Sequence, residues 1–166
     1  ICVARVDPMK NYDNFLKAYE NLENYKKKKS KLILIGKGTD ELVVPNNCIA
    51  LGMKTNIESY YSMADIIIVP SSFGEGFSNV LAEGMLTNLL PVATDIGDAK
   101  KIIGKTGFII KGHNVESLEN NLLKIINLKK NVIKNMGKKA RFRANKLFTV
   151  GNMIKSYEII YNKVKQ

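Results

Sequence analysis

The chain has 166 residues, 45% of them hydrophobic and 8% aromatic, which is enough for one folded core. Its apolar runs, such as Ile66 to Val69 and Leu89 to Leu90, fall far short of the roughly 20 residues that a membrane-spanning helix needs, and no signal peptide opens the sequence, so the expectation is a soluble, cytoplasmic protein. Its 26 Lys and Arg outweigh 15 Asp and Glu to give +11, a balance that fits either polyanionic partners or a Lys/Asn-rich surface with no partner at all.

Ile1 to Val6 reads as a buried strand, and a chain that opens inside a strand is expected to be a piece of a longer protein. Phe15, Ala18, Tyr19 and Leu22 then mark one face of a helix ending in the Lys26 to Lys29 run, where cations suit a helix C-terminus. Lys31 to Ile35 is a second strand closed by the Gly36-Lys37-Gly38 turn, and Cys48 to Leu51 a third closed by Gly52. Thr55 and Glu58 have the spacing of a capping box for a short helix through Ala64. Ile66 to Val69 is the next strand, followed by Pro70 and a loop, a helix over Asn79 to Leu86, a strand around Pro91 to Thr94, a helical turn over Ala99 to Ile103, and an edge strand over Gly107 to Ile110.

From Asn114 onward only helical periodicity remains, with one stripe at Leu118, Leu122, Ile125 and Ile126 and another at Met153, Tyr157, Ile160, Tyr161 and Val164. The last helix, about 149–165, starts at the N-cap Thr149 and carries more apolar face than covering a sheet edge requires. Short β-branched strands alternating with amphipathic helices imply an α/β fold with a parallel sheet buried on both faces. Cys2 and Cys48 sit in apolar runs without metal-ligand spacing, which predicts reduced, packed thiols and no metal site.

Chemistry concentrates in Ser71-Ser72-Phe73-Gly74-Glu75-Gly76-Phe77-Ser78-Asn79-Val80-Leu81-Ala82-Glu83, which runs from the C-terminal end of a strand into a helix, the place where open parallel sheets bind ligands. Gly74 and Gly76 let the backbone bend close to a ligand, Ser78 is placed to cap the helix, and the amides of Asn79 and Val80 face outward. A helix N-terminus carries about half a positive charge, so a phosphate is its natural occupant. Carboxylates beside a diphosphate are repelled by it, and their useful work there is to accept hydrogen bonds from sugar hydroxyls. Two acids flanking one phosphate site, Glu75 and Glu83, therefore fit a ligand with a polyol on each side, the shape of a nucleotide sugar.

This segment resembles the E-x7-E motif of family-4, "group 1" glycosyltransferases of the GT-B fold, with Glu75 and Glu83 as its acids. Arg5-Val6-Asp7-Pro8-Met9-Lys10-Asn11 resembles the early Arg and Lys of that family, Ile35-Gly36-Lys37-Gly38 its Gly-rich turn, and Leu51-Gly52 its base-side loop. Ala93 to Asp98 and Thr106-Gly107-Phe108 resemble its downstream signatures, so the likeness covers essentially the whole chain. It departs at Ala4 and Asn88, where the family often has Gly, and at Lys101, where Glu is common. His113, the single histidine, reads as a surface loop residue.

The resemblance implies a Rossmann-like, open, six-stranded parallel sheet spanning residues 1–166, one half of a GT-B fold, whose last helix packs on an absent N-terminal acceptor domain. It implies that Arg5 and Lys10 hold the donor diphosphate and that Gly76, Phe77, Ser78, Asn79 and Val80 bind phosphates and sugar through main-chain groups, with simple packing as the other reading of Phe77. Glu75 would take the donor-sugar hydroxyls and Glu83 the ribose, with Gly36 and Gly38 among the donor-binding residues and the Met53–Lys54 loop flanking the nucleobase. Glu75, Arg5 and Lys10 are the expected catalytic residues. No cofactor or metal is implied, and the substrate is a nucleoside-diphosphate sugar, with a UDP-sugar favoured. The implied activity is retaining hexosyl transfer in surface polysaccharide or lipopolysaccharide synthesis, inactive in this domain alone, toward a saccharide or lipid-linked acceptor at the inner face of a membrane, with no nucleic-acid partner. A GT-B epimerase or phosphorylase, or a non-catalytic nucleotide or nucleic-acid binder, are the alternatives.

Overall fold

The computed structural model describes residues 1–22, 25 and 30–164. The Lys26 to Lys29 run and residue 165 lie outside them. Six short strands, β1 (Cys2–Val3), β2 (Leu32–Ile35), β3 (Cys48–Ala50), β4 (Ile66–Val69), β5 (Leu90–Thr94) and β6 (Phe108–Ile110), alternate with helices α1 (Tyr12–Asn21), α2 (Ile57–Met63), α3 (Asn79–Leu86), α4 (Ala99–Ile103) and α5 (Val115–Ile126). Two further helices, α6 (Lys130–Leu147) and α7 (Val150–Val164), close the chain.

All strand pairs are parallel, but they form two three-stranded sheets, β1-β2-β3 and β4-β5-β6, rather than the single six-stranded sheet expected. The halves touch through Ile1, whose N–H donates to Ile66 O at 2.8 Å and whose carbonyl accepts from Ile68 N at 2.9 Å. Two bonds further along that ladder the amide of residue 70 would be needed, and Pro70 has none, so the pairing of β1 with β4 cannot extend past that point. Regular β1 covers only Cys2–Val3 of the expected Ile1 to Val6, although Ala4 N still donates to Ile35 O at 2.9 Å and Val6 N to Lys37 O at 2.8 Å.

Side chains alternate between two apolar layers, as the period of two in a strand requires. Cys2, Leu32, Leu34, Ile68, Leu90, Val92 and Ile110 pack with α1 and α5 on one face. Ile35, Ile67 and Ala93 pack on the other with Tyr61 of α2, Leu81 and Met85 of α3, Ile102 and Ile103 of α4, and Ala140 and Ala144 of α6. Each layer draws on strands from both sheets, so the two halves share one core. Because β1 and β4 abut while the chain winds outward from each, the loops that follow them lead to opposite sides, and a crevice lies between them, lined by Ala4, Lys10, Pro70 and Glu75.

Local signals fared unevenly. Thr149 Oγ1 accepts from Asn152 N at 3.2 Å and starts α7 as expected. The capping box at Thr55 is not formed, because α2 begins one residue later with Asn56 at its N-cap and no side-chain cap bond.

Candidate functional site

The loop after β1 is shaped by Asp7. Its Oδ1 accepts from Met9 N at 3.0 Å, opening a 3-10 turn over Pro8–Lys10, while its Oδ2 takes Arg5 Nη2 at 3.1 Å. The Met9 amide and then the Arg5 guanidinium hold the Asp7 carboxyl below its ordinary pKa. Arg5 itself is 62% exposed at the rim. Asn11 ends the turn in the left-handed region at φ 59, and its Nδ2 donates to Pro70 O at 3.1 Å and His113 O at 2.7 Å. One buried amide thus ties together the loops after β1, β4 and β6.

With that loop fixed, Lys10 reaches across the crevice and pairs with Glu75, whose Oε1 also accepts from Ser71 Oγ at 2.6 Å. The two side chains are only 17% and 12% exposed. The backbone under Glu75 rests on Gly97, where φ is +56 and a Cβ would stand 2.0 Å from Glu75 O. Asp98 N donates to Gly76 O at 3.3 Å from the same turn.

Ser78 occupies the N-cap of α3 in an extended conformation without a side-chain cap bond, so the expected cap is absent. Its side chain lines the narrow clefts beside Glu75 instead of folding back over the helix. The first-turn amides of Asn79 and Val80 are therefore without a capping side chain at the crevice.

Glu83 lies on the other side of the α3 N-terminal turn. Its Oε2 accepts from Tyr61 OH at 3.0 Å, and Tyr61 is 2% exposed. Burial, then the Glu83 carboxylate, keeps that phenol protonated far above its usual range. Beside Glu83 opens a cavity of about 540 Å³ whose walls include Phe77, Asn79, Phe148, Asn152 and Tyr157. Phe77 and Phe148 meet edge to face, with centroids 5.2 Å apart.

Gly36 donates its N–H to Gly52 O at 2.9 Å and passes so near β1 that a Cβ there would lie 2.0 Å from Ala4 O. Gly38 abuts Val6, and Met53 and Lys54 are exposed in the loop after Gly52. These four stand on the same sheet edge as Lys10 and Glu75 but on the β1-β2-β3 half. Lys101 pairs with Asp98 at 2.7 Å, and His113 is exposed. Among the described residues, no three His, Cys, Asp or Glu gather as a metal site. Asn11, Ser71 and Tyr61 are the contributors that sequence reasoning missed. Each acts through a contact at least four residues away; Asn11 and Ser71 stood inside quoted segments without an assigned role, and Tyr61 stood in none.

A family model described as glycosyl transferases group 1 matches residues 1–143. The N-acetyl-alpha-D-glucosaminyl L-malate synthase of Bacillus anthracis is 24% identical over 146 residues, 81% of this chain and 38% of that protein. A glycosyltransferase from Rickettsia africae superposes with a TM-score of 0.81 at 21% identity, covering 99% of this chain and 48% of that one. HepE of Anabaena, solved in complex with UDP and glucose, superposes at 0.79 with 20% identity, covering 96% of this chain and 48% of its own. The chain thus spans less than half the length of these relatives.

Proposed function

The chain belongs to the glycosyl transferases group 1 family, and from that premise we propose that its β1/β4 crevice binds a nucleoside-diphosphate sugar for retaining transfer of the sugar. The observation that carries this reading is the convergence of Lys10 and Glu75 at the open N-terminus of α3. A diphosphate resting on the Asn79 and Val80 amides draws Lys10 from the carboxylate to a phosphate oxygen. Glu75, released, then accepts hydrogen bonds from donor-sugar hydroxyls. Glu83, held by Tyr61 on the far side of the same turn, is positioned for the ribose. Met53 and Lys54 flank the base, with Gly36 and Gly38 giving the backbone room beneath it.

The barrier to transfer lies in expelling the diphosphate as the sugar becomes oxocarbenium-like. Lys10, Arg5 and the α3 amides stabilise negative charge growing on the leaving phosphate, a contribution of about 3–4 kcal/mol for a single well-placed donor in comparable sites. A UDP-sugar is the proposed donor, supported by the UDP and glucose bound to HepE. The acceptor site is assigned to a second domain, with α7 packing on it through its exposed Met153, Tyr157, Ile160, Tyr161 and Val164, and the product to surface polysaccharide or lipopolysaccharide assembly.

Calorimetric titration with UDP, GDP and ADP tests the reading. Binding of UDP that weakens at least tenfold in Lys10→Ala supports it. No binding by any of the three, or binding indifferent to Lys10, removes it.

A further inference from the structure

The positive charge is not spread over the chain. Residues 120–157 hold ten Lys and Arg and no Asp or Glu, leaving 16 cations against 15 acids for everything else. A bias of composition alone would have raised cations throughout. The excess falls chiefly on α6, which carries Lys130, Lys134, Lys138, Lys139, Arg141, Arg143 and Lys146.

Packing fixes which side of α6 faces outward. Gly137, Ala140 and Ala144 form its buried stripe, and the helix lies so close to the Asn88 turn that a Cβ on Gly137 would stand 1.9 Å from Asn88 O. Arg143 turns inward, its Nε donating to Ile102 O at 2.9 Å and its Nη2 to Lys101 O at 2.6 Å. The other six cations are exposed, and none of them enters an ion pair among the described residues. In the middle of this basic face stands Phe142, 73% exposed with no apolar neighbour of its own along the cationic stripe. At 18 residues the helix offers a platform about 27 Å long.

We propose that the outward face of α6 is an interaction surface for an anionic lipid bilayer, lying flat on it with Phe142 inserted at the headgroup level. Unpaired lysines on a rigid helix gain attraction from a negatively charged leaflet, and an aromatic ring projecting among them gains burial at the acyl boundary. Nucleic acid would match the charge but leaves Phe142 without a role, since no second exposed aromatic accompanies it on α6 as a stacking platform requires.

Sedimentation of the protein with phosphatidylcholine vesicles, with and without about one third phosphatidylglycerol, decides the matter. Binding should need the anionic lipid and fall with salt. The pair Lys134→Glu with Lys138→Glu should lower the partition coefficient roughly tenfold or more, and Phe142→Ser several-fold, with melting temperatures unchanged because neither touches the buried stripe. Equal binding to neutral vesicles, or equal binding by these variants, would overturn the proposal. So would capture of a duplex oligonucleotide through the same lysines by a protein that ignores the vesicles.

Discussion

Lys10 and Glu75 stand 65 residues apart in sequence and meet as an ion pair at the carboxyl edge of the sheet, at the point where the strand order reverses. Each is largely shielded from water, and each is held in place by the other. In the proposed function a bound donor exchanges that pairing for its own, so the pair would gate affinity as well as form part of the site.

Lys10→Ala and Glu75→Ala in the full-length enzyme should each lower turnover by about two to three orders of magnitude. The exchange of partners adds a second signature. Glu75→Gln frees Lys10, so UDP itself should bind this variant at least as tightly as the parent while sugar transfer falls. Side-by-side calorimetry and turnover measure both, and unchanged turnover in Lys10→Ala and Glu75→Ala would refute the roles.

Tyr61→Phe removes one hydroxyl from a buried ring and leaves its packing intact. The lost bond to a carboxylate is worth about 1.5–3 kcal/mol, so the apparent donor KM should rise roughly tenfold or more with kcat little changed. If Tyr61 acts only through Glu83, the same change made in a Glu83→Ala background should cost almost nothing, and a double-mutant cycle reads this directly.

Gly97→Ala asks a side chain to adopt φ +56 and to occupy space already filled by Glu75 O. The loop must move, and we expect a loss of about 1–3 kcal/mol in unfolding free energy together with a marked drop in UDP affinity. A variant with parental melting temperature and affinity would show that the loop does not depend on this contact.

Burial pushes the Cys2 and Cys48 thiols up to about 11. Unfolded thiols ionise near their ordinary value of about 8.5, so above that pH the unfolded state holds fewer protons than the native one and stability falls as pH rises toward 11. Below the ordinary value both states are neutral there and the thiols contribute no slope. Chemical denaturation from pH 8 to 10.5 should therefore give a flatter profile for Cys2→Ala than for the parent.

The periodic strands and helices were legible because burial demands regular patterns. Ile66–Val69, Asn79–Leu86 and Ala99–Ile103 occur in the structure with the bounds their residues suggested. α6 left a weak signal, since the fully buried part of its inner face is Gly137, Ala140 and Ala144, which pack by being small, with only Ile133 and Met136 adding larger apolar contacts. The split of the sheet was also hidden, because it depends on how far β1 pairs with β4, a strand more than 60 residues away in sequence.

Sequence alone determined the α/β class, the strand-to-helix loop with its two acids, and the family those residues belong to, since each is a short-range pattern of residue types. Tertiary structure alone decided that Asn11 laces three loops, that Tyr61 holds Glu83, that Lys10 faces Glu75, and that six lysines and arginines share one outward surface. Those relationships depend on how separate strands and helices are brought together in space, and hydrogen bonds and charges act over a few ångströms without leaving any regular spacing along the chain.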